Sequence, residues 1–301
     1  MTTATRYRVV HATEYVYDDD VTGSYGQARL RPRDLPSQTC RSSTVYVDPR
    51  PEDVRDHTDH FGNVATYFHV AHPHTRLTVT STSVVDVSAP ALPVTFATQP
   101  WEVARDTLAE PYGPHAEARE FALASPRVGR EPAVAAYARS SFPARRPIGE
   151  AVLDLVQRIH ADFRYEHGET TVTTTLPEVL ESRVGVCQDF AHLLVGCLRS
   201  VGLAARYVSG YLETQPPPGR ARLVGADASH AWASVLVPGS GWVGVDPTND
   251  QLVDGRYVTL AWGRDYDDVP PLKGVIFTES TRHLMQVRVD VLPVGEVSPE
   301  R

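Results

Sequence analysis

A cysteine, a histidine and an aspartate in that chain order can supply a nucleophile, a proton carrier and a group that orients it. Cys187, His230 and Asp246 follow that order, spaced by 43 and 16 residues. Cys187 stands in "RVGVCQDFAHLLVGC", whose apolar period predicts a helix that begins at the cysteine. At about 100° per residue, Phe190, Ala191, Leu194, Leu198 and Val201 share a stripe with Cys187, so the thiol is expected to point toward the protein. Gln188, Asp189, His192, Arg199 and Ser200 fall on an opposite, polar face. Gly185 permits a tight entry, and Gly202 reads as a stop signal. A cysteine in the first turn lies among N–H groups without helical partners, at the positive end of the helix dipole. That setting favours a thiolate and can stabilise an oxyanion.

Helix position alone also fits an ordinary buried thiol. Cys197, in mid-helix, and Cys40, in the β-rich half, read as packing residues. On one straight helix Cys187 and Cys197 are about 15 Å apart, whereas disulfide Cα atoms lie at most about 7 Å apart. His192 lies about 140° around the helix from Cys187, so a base is expected elsewhere. His230 opens a strand, "HAWASVLV", and the hairpin at "PGSG" returns through Asp246. If Val237 pairs with Gly241, His230 and Asp246 share a face; if it pairs with Trp242, they do not. Sharing a face lets Asp246 hold one imidazole nitrogen while the other meets Cys187. Taken singly, His230 is also a strand-end histidine and Asp246 a turn residue before Pro247.

The chain has 301 residues, enough for two domains of ordinary size, with a formal charge of −8 and a pI near 5.8. That balance argues against nucleic-acid or membrane partners, which call for a concentrated excess of Lys and Arg. Three cysteines point to a reducing, cytoplasmic setting without a disulfide framework. The opening residues lack the apolar run of a signal peptide, and no window is apolar enough to span a membrane, so the chain is expected to be unexported.

Residues 1–97 read as a β-sandwich-like domain of short Thr-, Val- and Tyr-rich strands. A helical linker region is expected over 98–147, and a catalytic core over 148–295. Helices are expected near 114–125, 131–140 and 148–163. The core alternates from the Cys187 helix to strands at "AARYVSGYLE", "HAWASVLV" and "WVGVD", and "HLMQVRVDVLPV" is expected to close it. The fold class is therefore α+β. The loop at 216–222 reads as mobile surface. "GRDYDD" reads as a polar loop that either locks two elements together or gates a site.

The segments "GVCQDFA", "HAWASV" and "WVGVDPTN" resemble the core of the transglutaminase-like superfamily, a papain-like fold. "VTTTLPEVLESRVGVC", "GRDYDDVPPLKGV", "HATEYVYD" and "DHFGN" resemble its bacterial branch and that branch's amino-terminal β domain. The resemblance implies Cys187 as nucleophile, His230 as general base and acid, and Asp246 as its orienter, with no cofactor and no metal. Ser234 stands where Glu is frequent and is expected to alter packing or substrate contacts. Tyr165 is either a second oxyanion donor or a core aromatic. The activity implied is acyl transfer from an amide of a protein, a peptide or a small molecule through a thioester, resolved by an amine or by water. Two other readings stay open: a catalytically idle binding or assembly module, and a zinc site made from the same three residues, which no CxxC or HxxxH pair supports.

Overall fold

The computed structural model describes residues 4–110, 113, 115–214, 229–279 and 281–297. The loop expected at 216–222 lies outside the described residues. Five strands come first: β1 (Ala4–Ala28), β2 (Gln38–Asp48), β3 (Asp53–Thr58), β4 (Val64–Val70) and β5 (His74–Val87). The helices α1 (Val94–Thr98), α2 (Trp101–Ala109), α3 (Pro132–Arg139) and α4 (Ile148–Asp162) follow, with a 3₁₀ turn at Ala116–Ala122. Next come β6 (Arg164–Tyr165), α5 (Leu176–Ser182), β7 (Val184–Gly185) and α6 (Cys187–Ser200). The remaining strands are β8 (Ala205–Leu212), β9 (Ser229–Val237), β10 (Gly241–Asp246), β11 (Gln251–Leu252), β12 (Tyr257–Gly263), β13 (Leu272–Thr278) and β14 (His283–Val297).

β1 is long enough to serve two sets of neighbours. Its first part lies between β5 and β14, and residues 24–28 lie between β4 and β13, all antiparallel. Its alternation buries Tyr7, Val9, His11, Thr13 and Tyr17 on one face. Here one expectation is corrected. "HLMQVRVDVLPV" is β14, and it pairs with β1, Ala4 facing Val297 and Tyr17 facing His283, rather than closing the carboxyl-terminal half. Val-rich alternation identifies a strand but not its partner, and β1 offered a row of unpaired N–H and C=O groups.

The second sheet runs β11-β10-β9-β8-β12, antiparallel throughout. α6 lies against β9 and β8 on one side and against α3, α4 and α5 on the other. The region expected as a linker is part of this body, since Trp101 and Ala104 of α2 and Val134 and Ala138 of α3 are buried in the same core as α6. Gly196 explains the close approach: a Cβ there would stand 2.9 Å from Leu176 Cδ1 and 3.5 Å from Val134 Cγ1. Leu155, Ile159, Leu194 and Leu198 are fully buried in this layer, each contributing about 1.5–3 kcal/mol.

Two side-chain amides from the β-rich half clasp the free edge of β12. Gln38 donates to the Thr259 carbonyl at 2.8 Å and accepts from its N–H at 2.8 Å. Asn63 does the same for Trp262 at 2.9 and 3.0 Å. Each amide imitates a strand residue, so the edge is paired without a further strand. No helix among the described residues is long and apolar enough to cross a membrane.

Most of the polar face expected for α6 is covered, with Ser200 left exposed. Asp189, His192 and Arg199 are all buried. Arg199 reaches the carbonyls of Phe121, Ala205 and Arg264 at 2.8, 2.9 and 2.6 Å. His192 accepts the Tyr266 N–H at 3.1 Å and packs on Tyr207, with burial holding its imidazole down at about 4. Each of these polar groups is partnered, as burial requires. "GRDYDD" does the locking: Arg264 pairs with Asp268 at 2.9 Å, and Asp265 accepts the Arg127 N–H at 2.9 Å.

Candidate active site

Cys187 is the first residue of α6, and the first helical hydrogen bond runs from Phe190 N–H to the Val186 carbonyl at 3.1 Å. The N–H groups of Cys187, Gln188 and Asp189 therefore precede the helical ladder. Asp189 reaches back to accept the Val186 N–H at 2.9 Å and the Thr170 hydroxyl at 2.7 Å, which fixes the entry. Gly185 is required by close approach rather than by a special φ. A Cβ there would stand 2.9 Å from Asp189 Cβ and 3.1 Å from Phe190 Cε1. Gly185→Ala is expected to push α6 off this entry and cost about 1–3 kcal/mol. A calorimetric scan would show a lowered Tm; an unchanged Tm would mean that the entry can relax.

β6 and β7 pair in parallel, Tyr165 opposite Gly185, and Glu166 N–H bonds the Gly185 carbonyl at 3.1 Å. This brings Tyr165 beside the sulfur. The ring is 43% exposed, so it is not the core aromatic that one reading of the sequence favoured. Partial burial, then the charge of and hydrogen bond to Cys187, push its phenol up to about 12, leaving a neutral donor at pH 7.

β9 and β10 pair with Val237 opposite Gly241, the register that places His230 and Asp246 on one face. His230 Nε2 lies 2.7 Å from Asp246 Oδ2. Nε2 is thus committed to the carboxylate, and Nδ1 remains for Cys187. Burial works against a charge on His230, but its hydrogen bonds to Asp246 and Cys187 and their negative charges outweigh it, lifting the imidazole to about 10. The ring stacks at 6.1 Å on Trp232, itself buried over Gly210.

Asp246 is fully buried, and its carboxylate is saturated with donors. Oδ1 accepts the Thr248 N–H at 2.8 Å, and Oδ2 accepts the Tyr257 hydroxyl at 2.7 Å and the Asn249 amide at 2.7 Å. Burial alone would raise its pKa, but the bonds from His230, Asn249 and Tyr257 win and hold it below the ordinary carboxylate value. Sequence reasoning had not singled out Tyr257 or Asn249. Asn249 had a local signal, the turn "DPTN", whereas Tyr257 arrives from β12 with none. Ser234 is buried opposite Gly244, a packing position.

The other thiols stand apart from this cluster. Burial pushes Cys197 far up, and its sulfur faces the Val134 carbonyl at 3.8 Å. Cys40 is half-buried at a register shift between β2 and β5, and burial pushes it up as well. All three cysteines are free. Among the described residues no group of three or more His, Cys, Asp or Glu side chains forms a metal site.

Residues 7–86 match the family model of the bacterial transglutaminase-like N-terminal region, and residues 135–247 match that of the transglutaminase-like superfamily. An uncharacterized protein of Mycobacterium tuberculosis is 50% identical over 297 residues, 96% of this chain and 93% of the relative. A protein-glutamine gamma-glutamyltransferase of Pseudomonas aeruginosa is 37% identical over 99 residues, 31% of this chain and 15% of that protein. The solved structure of a candidate cysteine protease from Cytophaga hutchinsonii shares the fold, with a TM-score of 0.72 at 20% identity, covering 98% of this chain and 93% of the other. With both halves matched and a relative half-identical along nearly its whole length, the chain belongs to the bacterial transglutaminase-like superfamily.

Proposed function

We propose that the chain is a cysteine acyltransferase or amidase in which Cys187 is the nucleophile, His230 the proton carrier and Asp246 its orienter. The observation that carries this reading is the 2.7 Å contact of His230 Nε2 with buried Asp246, beside a cysteine that opens a helix. A charged imidazolium is the partner a thiolate nucleophile requires.

Sulfur attacks the carbonyl carbon of an amide, and first-turn N–H groups of α6, with the Tyr165 hydroxyl, stabilise the oxyanion. The C–N bond then breaks, the leaving nitrogen takes the proton from His230, and a thioester remains. Water or a second amine attacks that carbonyl, giving its proton to His230 as the thiolate departs. The glutamyltransferase of Pseudomonas aeruginosa supports an acyl donor of the glutamine type in a peptide or protein. The three unpaired cysteines support a reducing, cytoplasmic setting.

Iodoacetamide at pH 6 tests the nucleophile. Cys187 should be labelled on the order of 100-fold faster than Cys40 or Cys197, which burial keeps protonated. Peptide mapping by mass spectrometry reads the three sites separately. Equally slow labelling of all three leaves the idle binding or assembly module as the better reading. The chemistry itself is read from ammonia release on benzyloxycarbonyl-Gln-Gly, with hydroxylamine added to divide acid from hydroxamate.

A further inference from the structure

The mechanism makes no use of a concave, aromatic-lined trough in the amino-terminal half. It has a volume of about 250 Å³ and lies where β1 meets β13 and β14. Tyr15, Tyr17, Tyr25, Phe68, Ile276 and His283 are among the residues that line it. Tyr15 and Tyr17 lie with their rings nearly parallel and their centroids 6.2 Å apart, and the His283 ring tilts across both. No carboxylate lines it among the described residues, and Lys273 stands on its wall.

The trough is joined to the nucleophile by packing. Cys187, Tyr15, Tyr266, Leu272 and Ile276 all border one apolar cluster, which includes the buried Tyr207. Tyr207 meets Tyr266 edge-on at 6.4 Å. One packed cluster therefore reaches from Cys187 to Tyr15, Leu272 and Ile276 on the wall of the trough.

Size and lining select the occupant. A site for a whole drug-sized ligand occupies about 300–1,000 Å³, so this trough suits one large side chain. Ring edges and faces favour an aromatic guest through offset and edge-on contacts. The lack of a carboxylate gives a cationic side chain no counter-charge. We infer that the trough is a substrate subsite that takes an aromatic residue of the acyl-donor peptide, a few positions from the amide that Cys187 attacks. The inference rests on the acyl-transfer reading above, and it gives the amino-terminal β half a share in substrate choice.

The test is calorimetric titration of the full chain carrying Cys187→Ala, so that binding is read without turnover. The probes are acetyl-Phe-Glyₙ-Gln-Gly-amide with n of zero, one or two, and the same peptides with Ala for Phe. At one spacing or more the Phe peptide should bind at least about tenfold tighter. Adding Ile276→Trp, which fills the trough, or Tyr15→Leu, which removes a ring, should bring that ratio to within about twofold. Retained affinity for the Ala peptide in either variant shows that its fold has survived. Equal affinities in the parent at every spacing, no binding by any probe, or a preference that survives both substitutions would each overturn the inference. Iodoacetamide labelling of the unsubstituted chain scores the nucleophile separately, so the two readings fail independently.

Discussion

Replacing Cys187 with alanine should reduce turnover of benzyloxycarbonyl-Gln-Gly to background while leaving Tm within a few degrees of the parent. The reaction has no second sulfur to fall back on. Cys197 is fully buried and Cys40 lies on β2, in the other sheet. In enzymes whose triad acts as a unit, removing the nucleophile costs on the order of 10⁶ in kcat. Stability should change little because alanine is a good first-turn residue and the entry of α6 is fixed by Asp189 and Gly185, not by the thiol. Intact-mass spectrometry of the parent with substrate should show an acyl adduct that the variant lacks. A variant retaining a tenth of the parent rate would refute Cys187 as the nucleophile.

The second large effect is expected at Asp246, where Asn keeps the shape but removes the charge. Its amide NH₂ would point a donor at a site already crowded by Thr248 N–H, the Asn249 amide, the Tyr257 hydroxyl and His230. The imidazole then loses the acceptor that fixes its tautomer, a change that costs on the order of 10⁴ in kcat in comparable triads. Unpaired buried donors should also cost about 1–3 kcal/mol in stability.

The pH signature has a definite sign. The folded-state pKa of His230 is raised to about 10, above the unfolded value of about 6.5. The stabilisation from its pairing is thus fully present below pH 6.5 and is lost as pH rises through about 10. With Asp246→Asn the imidazole loses both bond and charge, so this alkaline loss should move to lower pH. Melting curves between pH 6 and 11 read the shift. An unchanged alkaline limb would show that Asp246 does not hold the His230 charge.

Much of this site was readable from the chain because its geometry is local. The period of "CQDFAHLLVGC" fixes where α6 begins, and the length of "PGSG" limits the hairpin to a register that puts His230 and Asp246 together or apart. What escaped depends on segments far away in sequence. A helical period reports the stripe facing one layer, not whether a second layer covers the other side, so His192 and Arg199 looked exposed. Tyr257 bonds Asp246 only because β12 joins β8 at the edge of the sheet. β14 announced itself as a strand, but its partner β1 stands at the opposite end of the sequence.

The pairing of Ala4 with Val297 also constrains the order of assembly. During synthesis β1 appears early, yet its two late partners, β13 and β14, emerge only after the helix and sheet that carry the candidate site. The amino-terminal sheet therefore cannot be completed while the chain is half made, and the fold is governed by contacts of long sequence separation, a topology that folds slowly. The same clasp means that residues 4–97, cut away on their own, would expose the flank of β1 where β13 and β14 belong, an invitation to strand-to-strand association.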